Sequence, residues 1–335
     1  MELTVIIPTY HRLDQLRCAL ESLQAQCLPE FEILVVDNAA DAGIQNFIKS
    51  FNLLVAHPVT YIAEPQLGLH YARHAGARAA TGDVLVFTDD DATFNPHWLE
   101  AYWQVFTQHP EMAAAGGPVL PIWEQAPPKW IVGLMGDLPR FPTLSLMKPR
   151  GGFHLEPDGI FFGVNMAIRR NCLFELGGFH PDSFGEYWLG DGETGLNRKL
   201  WARGDLIGFV DDALVYHHIP EERMTVEYFK RRMANEAACT EYAYFQRKMV
   251  NVPALVMRGM RVSFDILILI PLTIGRLVLK RDRYAFLRMR LDFAYHQARL
   301  AYVARIHKNP DLRRLIHKSD WLERDPQPVF APQIR

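Results

Sequence analysis

Residues 84–91 read VLVFTDDD, a short apolar run that passes through Thr88 straight into Asp89, Asp90 and Asp91. Four apolar residues bounded by polar turn-formers read as a buried strand. Three adjacent carboxylates repel one another, and a cation is the natural relief. Hard divalent ions such as Mg²⁺ and Mn²⁺ take oxygen ligands and bridge carboxylates to substrate phosphates. Taken alone, the triplet reads equally well as a solvated acidic turn that caps the next helix. What surrounds it decides between the two.

Upstream, Leu3–Pro8, Phe31–Val36 and Val59–Ala63 are further short apolar runs. Between them, Leu13, Leu16, Leu20 and Leu23 recur at helical spacing, predicting a helix over 13–26, and Ile44, Phe47, Ile48 and Phe51 do the same over 41–51. Residues 69–80 are Ala-rich and helical up to the stop at Thr81-Gly82. Downstream, Trp98, Leu99, Tyr102, Trp103 and Phe106 mark another helix. Strands alternating with helices predict βαβ units: an α/β fold with a Rossmann-like, mostly parallel sheet flanked by helices. Ligands of such sheets bind beyond the carboxyl ends of the strands. Those ends carry Thr9-Tyr10, Asp37-Asn38 and the aspartate triplet, so the polar groups gather where a ligand is expected. From about 116 to 159 the chain is rich in Pro and Gly and reads as long loops beside the site, suited to a lid. Ile207–Val215 reads as one strand-like run leading into Tyr216-His217-His218-Ile219-Pro220.

VIIPTY (5–10), VVDN (35–38), GLHYARHAGARAATGDVLVFTDDDA (68–92) and GDGETGLNRKLWARG (190–204) together resemble family 2 glycosyltransferases of the GT-A fold. The likeness covers about residues 3–220, and several motifs in order make it far more specific than a lone DxD. It implies a nucleoside-diphosphate sugar as donor and a divalent metal, Mn²⁺ or Mg²⁺. Pro8, Thr9 and Tyr10 then fall in the nucleotide-binding segment, with Tyr10 stacking on the base. Asp37 and Asn38 match the base-contacting position, where members often have two acids. Arg73 matches an arginine that supports the diphosphate. Asp89 and Asp91 match the ends of the DxD motif around Asp90, with Asp91 the direct metal ligand. His217, or alternatively His218, completes the metal site by its match to an H-x-[IV]-P pattern. Gly163-Val164-Asn165-Met166 resembles an acceptor-facing segment, and reads equally as an ordinary strand entry.

The acceptor side needs a base, because a sugar hydroxyl is a poor nucleophile at neutral pH. Family members usually show a Glu-Asp pair before a helix. Here Asp191-Gly192-Glu193 stands at that place, with Glu193 at the position of the pair's aspartate and Asp191 as the alternative base. Both acids also suit a helix N-terminus as mere dipole-compensating caps.

The formal charge of −2 hides an asymmetry. Between Arg247 and Lys318 there are 16 Lys/Arg against 4 Asp/Glu, a balance of +12 that leaves −14 for the rest of the chain. A helical, basic region over 221–335 is therefore expected behind a catalytic domain at 1–220, itself divided into a nucleotide-binding half (1–115) and an acceptor-binding half (116–220). The apolar run enclosed by Asp265 and Arg276 is too short for a span of ~20 residues and suits an interfacial helix. Its basic flanks suit an anionic membrane surface; no nucleic-acid-binding motif accompanies them. The four cysteines are scattered, without CxxC, and read as reduced thiols. Met1-Glu2 leads directly into an apolar strand, which reads as no secretory leader. A place in the cytoplasm, peripheral on the cytoplasmic face of the membrane, follows.

The expectation is a metal-dependent, inverting transfer of a sugar to a hydroxyl of a glycan or lipid-linked acceptor. A nucleotidyltransferase would bring a Gly-rich phosphate loop near the first strand, and VIIPTYHR contains no glycine. A glycoside hydrolase would use two carboxylates but has no need of Tyr10, Asp37 and Arg73. A degenerate domain that only binds nucleotide or membrane is disfavoured by the intact Asp89, Asp91 and Glu193.

Overall fold

A computed structural model describes residues 1–156, 159–184 and 187–323. The helical basic region expected over 221–335 therefore lies, over 324–335, outside the described residues. The strands in chain order are β1 (Leu3–Thr9), β2 (Glu32–Asp37), β3 (Val59–Ala63), β4 (Val84–Phe87), β5 (Ala92–Phe94), β6 (Met112–Gly116) and β7 (Val119–Trp123). They continue with β8 (Arg140–Phe141), β9 (Leu146–Met147), β10 (Phe153–Leu155), β11 (Met166–Arg169), β12 (Ser183–Phe184), β13 (Tyr187–Trp188), β14 (Leu206–Val210) and β15 (Val215–Ile219). The helices of the first 220 residues are α1 (Leu13–Leu23), α2 (Ala42–Phe51), α3 (Leu69–Ala79), α4 (Trp98–Gln108), α5 (Lys129–Met135), α6 (Arg170–Glu175) and α7 (Gly192–Arg203). Beyond them lie α8 (Val226–Gln246), α9 (Val252–Leu267), α10 (Leu269–Val278), α11 (Ala285–Lys308) and α12 (Pro310–Ile316).

The main sheet runs β10-β14-β6-β11-β4-β1-β2-β3. β1 pairs in parallel with both β2 and β4, and β2 with β3, as the βαβ reading requires. β11 enters antiparallel between β4 and β6. The two central apolar runs are buried end to end, every residue of β1 and β4 being buried, whereas β3 at the sheet's edge is buried only at Val59.

Pro8 explains where the sheet opens. Register between β1 and β4 ends at Ile6–Phe87, and Thr88 N–H donates to the Ile6 carbonyl at 3.2 Å. Alternation along a parallel strand turns Pro8 toward that same side, past the last pair, where its missing N–H costs no ladder bond. The strands splay there, and a cleft begins.

Two expectations give way. The Pro/Gly-rich stretch is not a run of loops: β7, β8 and β9 join β5 and β15 in a second sheet of order β5-β15-β7-β9-β8, and β10 edges the main sheet. Pro121, the proline inside β7, lies beyond the single pair that β7 makes with β9, Val119–Met147, so its missing N–H costs no ladder bond. The run from Ile207 to Val215 is two strands in two sheets. The turn between them carries Asp211, whose carboxylate accepts from the Arg150 and Gly151 amides at 2.6 and 3.0 Å. Helix α1 also stops three residues earlier than its apolar spacing predicts.

Helices α8, α9, α11 and α12 share a second apolar cluster that includes Phe245, Leu255, Ile306, Leu312 and Trp321. Glu241 of α8, fully buried, accepts two hydrogen bonds from Arg258 of α9 (2.7 and 3.0 Å) and one from Arg299 of α11 (2.6 Å). The chain then returns to the first 220 residues. Lys199 of α7 donates to the Leu176, Gly178 and Ser319 carbonyls at 2.8, 3.0 and 2.7 Å. Burial holds its ammonium down to about 8.

Candidate active site

The cleft below Pro8 has a volume of roughly 490 Å³ and is lined by Pro8, Thr9, Tyr10, Asn38, Asp89, Asp90, Asp91 and His217, with Arg12, Arg223 and Arg232. The expected strand-end residues thus meet in one place, Asp37, Arg73, Asp191 and Glu193 excepted. Tyr10, 49% exposed, stands at the rim with its ring edge-on to His11.

Asp90 points inward. It accepts from Thr9 Oγ1 at 2.8 Å and from Arg12 Nη1 at 3.1 Å, and burial raises its carboxyl to about 6 against the pull of Arg12. Asp91 accepts from Arg12 Nη1 at 3.2 Å and Arg223 Nη2 at 2.7 Å. Burial alone would raise its carboxyl, but His217, Arg223 and Arg12 outweigh burial and hold it below the usual range.

Topology delivers His217. β15 pairs antiparallel with β5, which follows the triplet directly, so His217 lies opposite Ala92 and its Nε2 is 3.4 Å from Asp91 Oδ1. His218, on the other face, meets Thr93 Oγ1 at 3.0 Å instead. His217 Nδ1 is 3.0 Å from the Leu144 carbonyl, which can only accept, and Arg223 Nη1 donates toward Nε2 at 2.9 Å. The Leu144 carbonyl thus accepts a hydrogen bond from Nδ1–H, and Nε2 stands between Arg223 Nη1 and Asp91. A carbonyl fixing one imidazole nitrogen while the other faces a carboxylate is how histidine is set for a metal.

Arg73 lies beneath the cleft, 2% exposed on α3. Its guanidinium bridges Asp89 (Nη2–Oδ1 3.6 Å) and Glu193 (Nη1–Oε2 3.5 Å) and covers the Phe179 ring at 5.1 Å. Gly163 makes room for it: a Cβ there would collide with Arg73 Nη2. The segment after Gly163 turns inward. Asn165 is buried and spends its amide on the Pro118 and Ala213 carbonyls and on the Trp98 and Tyr102 side chains. It clamps strands together, as the strand-entry reading has it.

The two acids at the start of α7, Asp191 as its N-cap and Glu193 in its first turn, differ sharply. The Asp191 side chain is fully buried, 2.8 Å from His180 Nδ1 and bonded to Arg198. The Glu193 side chain keeps 23% of its surface exposed and, among the described residues, pairs with Arg73. The base-contacting pair is also committed elsewhere. Asp37 is fully buried and accepts from the Ala39 and Asp41 amides (2.9 and 2.6 Å) and the Tyr61 hydroxyl (3.0 Å). Asn38 donates to the Glu64 and Gln66 carbonyls and accepts from Gly68 N–H. They shape the wall around the Gly68 turn, and of the two only Asn38 lines the cleft.

Sequence reasoning missed Arg12, Arg223 and Asp182. The first two follow recognised motifs by two or three residues and could have been sought as counter-charges for the triplet. Asp182 had no local signal. It is buried, and Gly192 takes φ of +48° next to it, where a Cβ would collide with Asp182 Oδ1. Burial, with Glu193 nearby, pushes its carboxyl up to about 7. The folded state therefore holds a proton that the unfolded chain releases near pH 4, so native stability falls as pH rises from about 4 to 7 and is level above. Asp182→Asn lacks that loss. Its melting temperature relative to the native chain should rise by on the order of 5 °C between pH 5 and pH 8; a pH-independent difference in thermal scans would refute the shift.

Sheet and cleft together define a glycosyltransferase of the GT-A type. The family model described as glycosyl transferase family 2 matches residues 4–174, and the chain belongs to that family. Among curated relatives, the glucosyl-dolichyl phosphate glucuronosyltransferase of Haloferax volcanii is 28% identical over 193 residues, 55% of this chain and 57% of that protein. The succinoglycan biosynthesis protein ExoM of Rhizobium meliloti is 25% identical over 69% of this chain and 72% of its own. The chain thus spans just over half the length of the first relative. Among solved structures, the mannosyltransferase PcManGT of Pyrobaculum calidifontis, in complex with GDP-Man and Mn²⁺, superposes with a TM-score of 0.54 at 19% identity, covering 96% of this chain and 84% of that one. S. aureus TarS 1-349 in complex with UDP-GlcNAc gives 0.52 at 16% identity, over 90% and 91% of the two chains. Both likenesses speak to the fold.

Proposed function

We propose that this glycosyltransferase moves a sugar from a nucleoside-diphosphate sugar to a hydroxyl, with inversion at the anomeric carbon. The observation that carries this reading is the Arg73 bridge, which joins Asp89 of the cleft lining to Glu193 in the first turn of α7. Pro8, Thr9, Tyr10 and Asn38 line the nucleotide pocket. Arg73 supports the diphosphate, and Asp89 and Asp90 shape its seat. Asp91 and His217 would hold a divalent metal. Among the described residues no three His, Cys, Asp or Glu side chains converge on one ion, so the donor set suits an open site completed by phosphate oxygens. The metal would offset charge on the departing diphosphate.

Glu193, rather than the fully partnered Asp191, takes the acceptor proton. The acceptor oxygen bonds to the anomeric carbon from one face as the carbon–phosphate-oxygen bond breaks on the other, and the electron pair leaves on the diphosphate. The division proposed is a catalytic unit at 1–220, with nucleotide-binding (1–115) and acceptor-binding (116–220) halves, and a helical unit behind it. Nucleoside diphosphate release from UDP-, GDP- and dTDP-sugars, with Mn²⁺, Mg²⁺ or a chelator, tests this. One donor should give metal-dependent release. No release and no metal-linked nucleotide binding by calorimetry would remove the reading.

The acceptor proposed is a lipid-linked or envelope glycan, met at the cytoplasmic face of an anionic membrane. No helix among the described residues is long and apolar enough to cross a membrane. An exposed apolar stripe nevertheless follows α9 and α10: Val252, Val256, Met260, Phe264, Leu267, Ile270, Ile274 and Val278, at successive helical spacings. Arg261, Arg276, Lys280, Arg281 and Arg283 flank it, and each basic residue near an anionic surface adds about 1 kcal/mol. The triple substitution of Met260, Phe264 and Leu267 by Ser should abolish co-flotation with phosphatidylglycerol vesicles. Flotation equal to that of the native chain would sink the attachment.

A further inference from the structure

A second cleft, of roughly 640 Å³, continues from the first past Asp91 and shares Arg12, Arg223, Tyr228 and Arg232 with it. The four arginines that line it divide into two pairs. Arg12 and Arg223 spend their charge on Asp90 and Asp91. Arg231 and Arg232, in the second turn of α8, have no carboxylate within ion-pair distance among the described residues. Their guanidiniums instead face aromatic rings, Arg231 over Tyr228 at 5.2 Å and Arg232 over Trp188 at 5.9 Å. Arg232 Nε is buried and has no hydrogen-bond partner among the described residues. Two acids also line this cleft besides Asp91. Glu124 accepts from the Glu221 amide at 2.8 Å, and Glu222 is exposed.

A guanidinium braced on a ring and lacking a carboxylate is preorganised for an anion, and its planar fork matches phosphate oxygens two at a time. Two such groups side by side offer more N–H donors than one carboxylate can accept. We propose that this cleft is an anion subsite in which Arg231 and Arg232 bind the phosphate of a phosphate-bearing acceptor. The phosphate is held apart from the attacked hydroxyl, so the subsite positions the acceptor and takes no part in the bond exchange. The assignment rests on the neighbouring cleft being the donor site.

The test is calorimetric titration of the full chain with octyl phosphate, with octyl glucoside and inorganic phosphate as parallel arms. Each is run alone and with the donor cleft saturated by Mn²⁺ and the nucleoside diphosphate that binds best. Octyl phosphate should bind in both conditions. The Arg231→Gln/Arg232→Gln double variant should weaken it about tenfold or more, and Arg231→Gln, whose residue lines this cleft and not the donor cleft, should leave nucleoside diphosphate affinity unchanged. Arg231→Gln alone, at an exposed position, should show part of the loss with native thermal stability, so a folding defect in the double variant does not decide the matter. Displacement of octyl phosphate by the nucleotide would overturn the proposal, because the anion would then belong to the donor cleft. So would equal binding of octyl glucoside, equal binding of inorganic phosphate, or native affinity in both variants. If the donor reading itself fails, the nucleotide arm alone stays silent, while octyl phosphate still reports on the arginines.

Discussion

Glu193→Gln is expected to lower sugar transfer by about 10²–10⁴-fold, the usual contribution of a positioned general base, while donor affinity stays near native. The amide keeps the size of the carboxylate but cannot take the acceptor proton. Arg73 retains Asp89 as a partner, so its guanidinium is not left alone when Glu193 is neutralised. The control is Asp191→Asn. Asp191, itself fully buried, is locked between His180 and the partly exposed Arg198, and loss of its charge should appear as a lowered melting temperature before it appears in turnover. Single-turnover kinetics with saturating donor, beside thermal scans, separates the two. A Glu193→Gln chain with native turnover, paired with a stable but inactive Asp191→Asn chain, would hand the base to Asp191.

The second large effect concerns stability. Glu241→Ala should destabilise the chain by about 3–5 kcal/mol, the range for breaking a buried charge network by removing one partner. The carboxylate is buried with no exposed surface and serves two guanidiniums at once, Arg258 and Arg299. Only Arg299 has a second acid, Asp265 at 3.0 Å. Truncation therefore strands the Arg258 charge between α8 and α9 and loosens three helices together. Chemical denaturation should show a lower midpoint, or a separate early transition if the helices behind residue 225 melt on their own. A loss under about 1 kcal/mol would mean that water reaches the arginines and solvates them, as it does for surface pairs.

Much of the fold was legible because its signals are local. Apolar runs of four to seven residues, separated by stripes at helical spacing, are enough for β1 to β4 and their helices. The aspartate triplet stood out by charge repulsion, and the polar strand ends around it decided its reading. What stayed hidden depends on pairing between distant segments. Nothing near Val119 or Leu146 says that those residues form a sheet with Val215, and nothing near Ile207 says that the chain changes sheets at Asp211. Site chemistry divided the same way. Asp91, His217 and Glu193 were proposed from motifs, and the fold brings the first two within 3.4 Å of each other. The commitment of Asp37 and Asn38 to the 39–68 backbone depends on where neighbouring amides point, which no spacing encodes. Asp182 came to light only through the empty Cβ position of Gly192. Arg12 and Arg223 were legible in principle, since a crowded acidic site has to be neutralised by something.

The insertion of β11 between β4 and β6 has a consequence for biosynthesis. During translation β4 and β6 are both complete long before residue 166 exists, so each offers an open, fully apolar strand edge meanwhile. At synthesis rates of about 5–20 residues per second that interval lasts seconds, longer than most strands need to find a partner. A fragment ending after β6 would never escape this condition. It should aggregate rather than fold, and the nucleotide-binding half is thus no independent unit of assembly even though its motifs are contiguous. The nascent chain stays exposed to this hazard until β11 arrives to join the two edges.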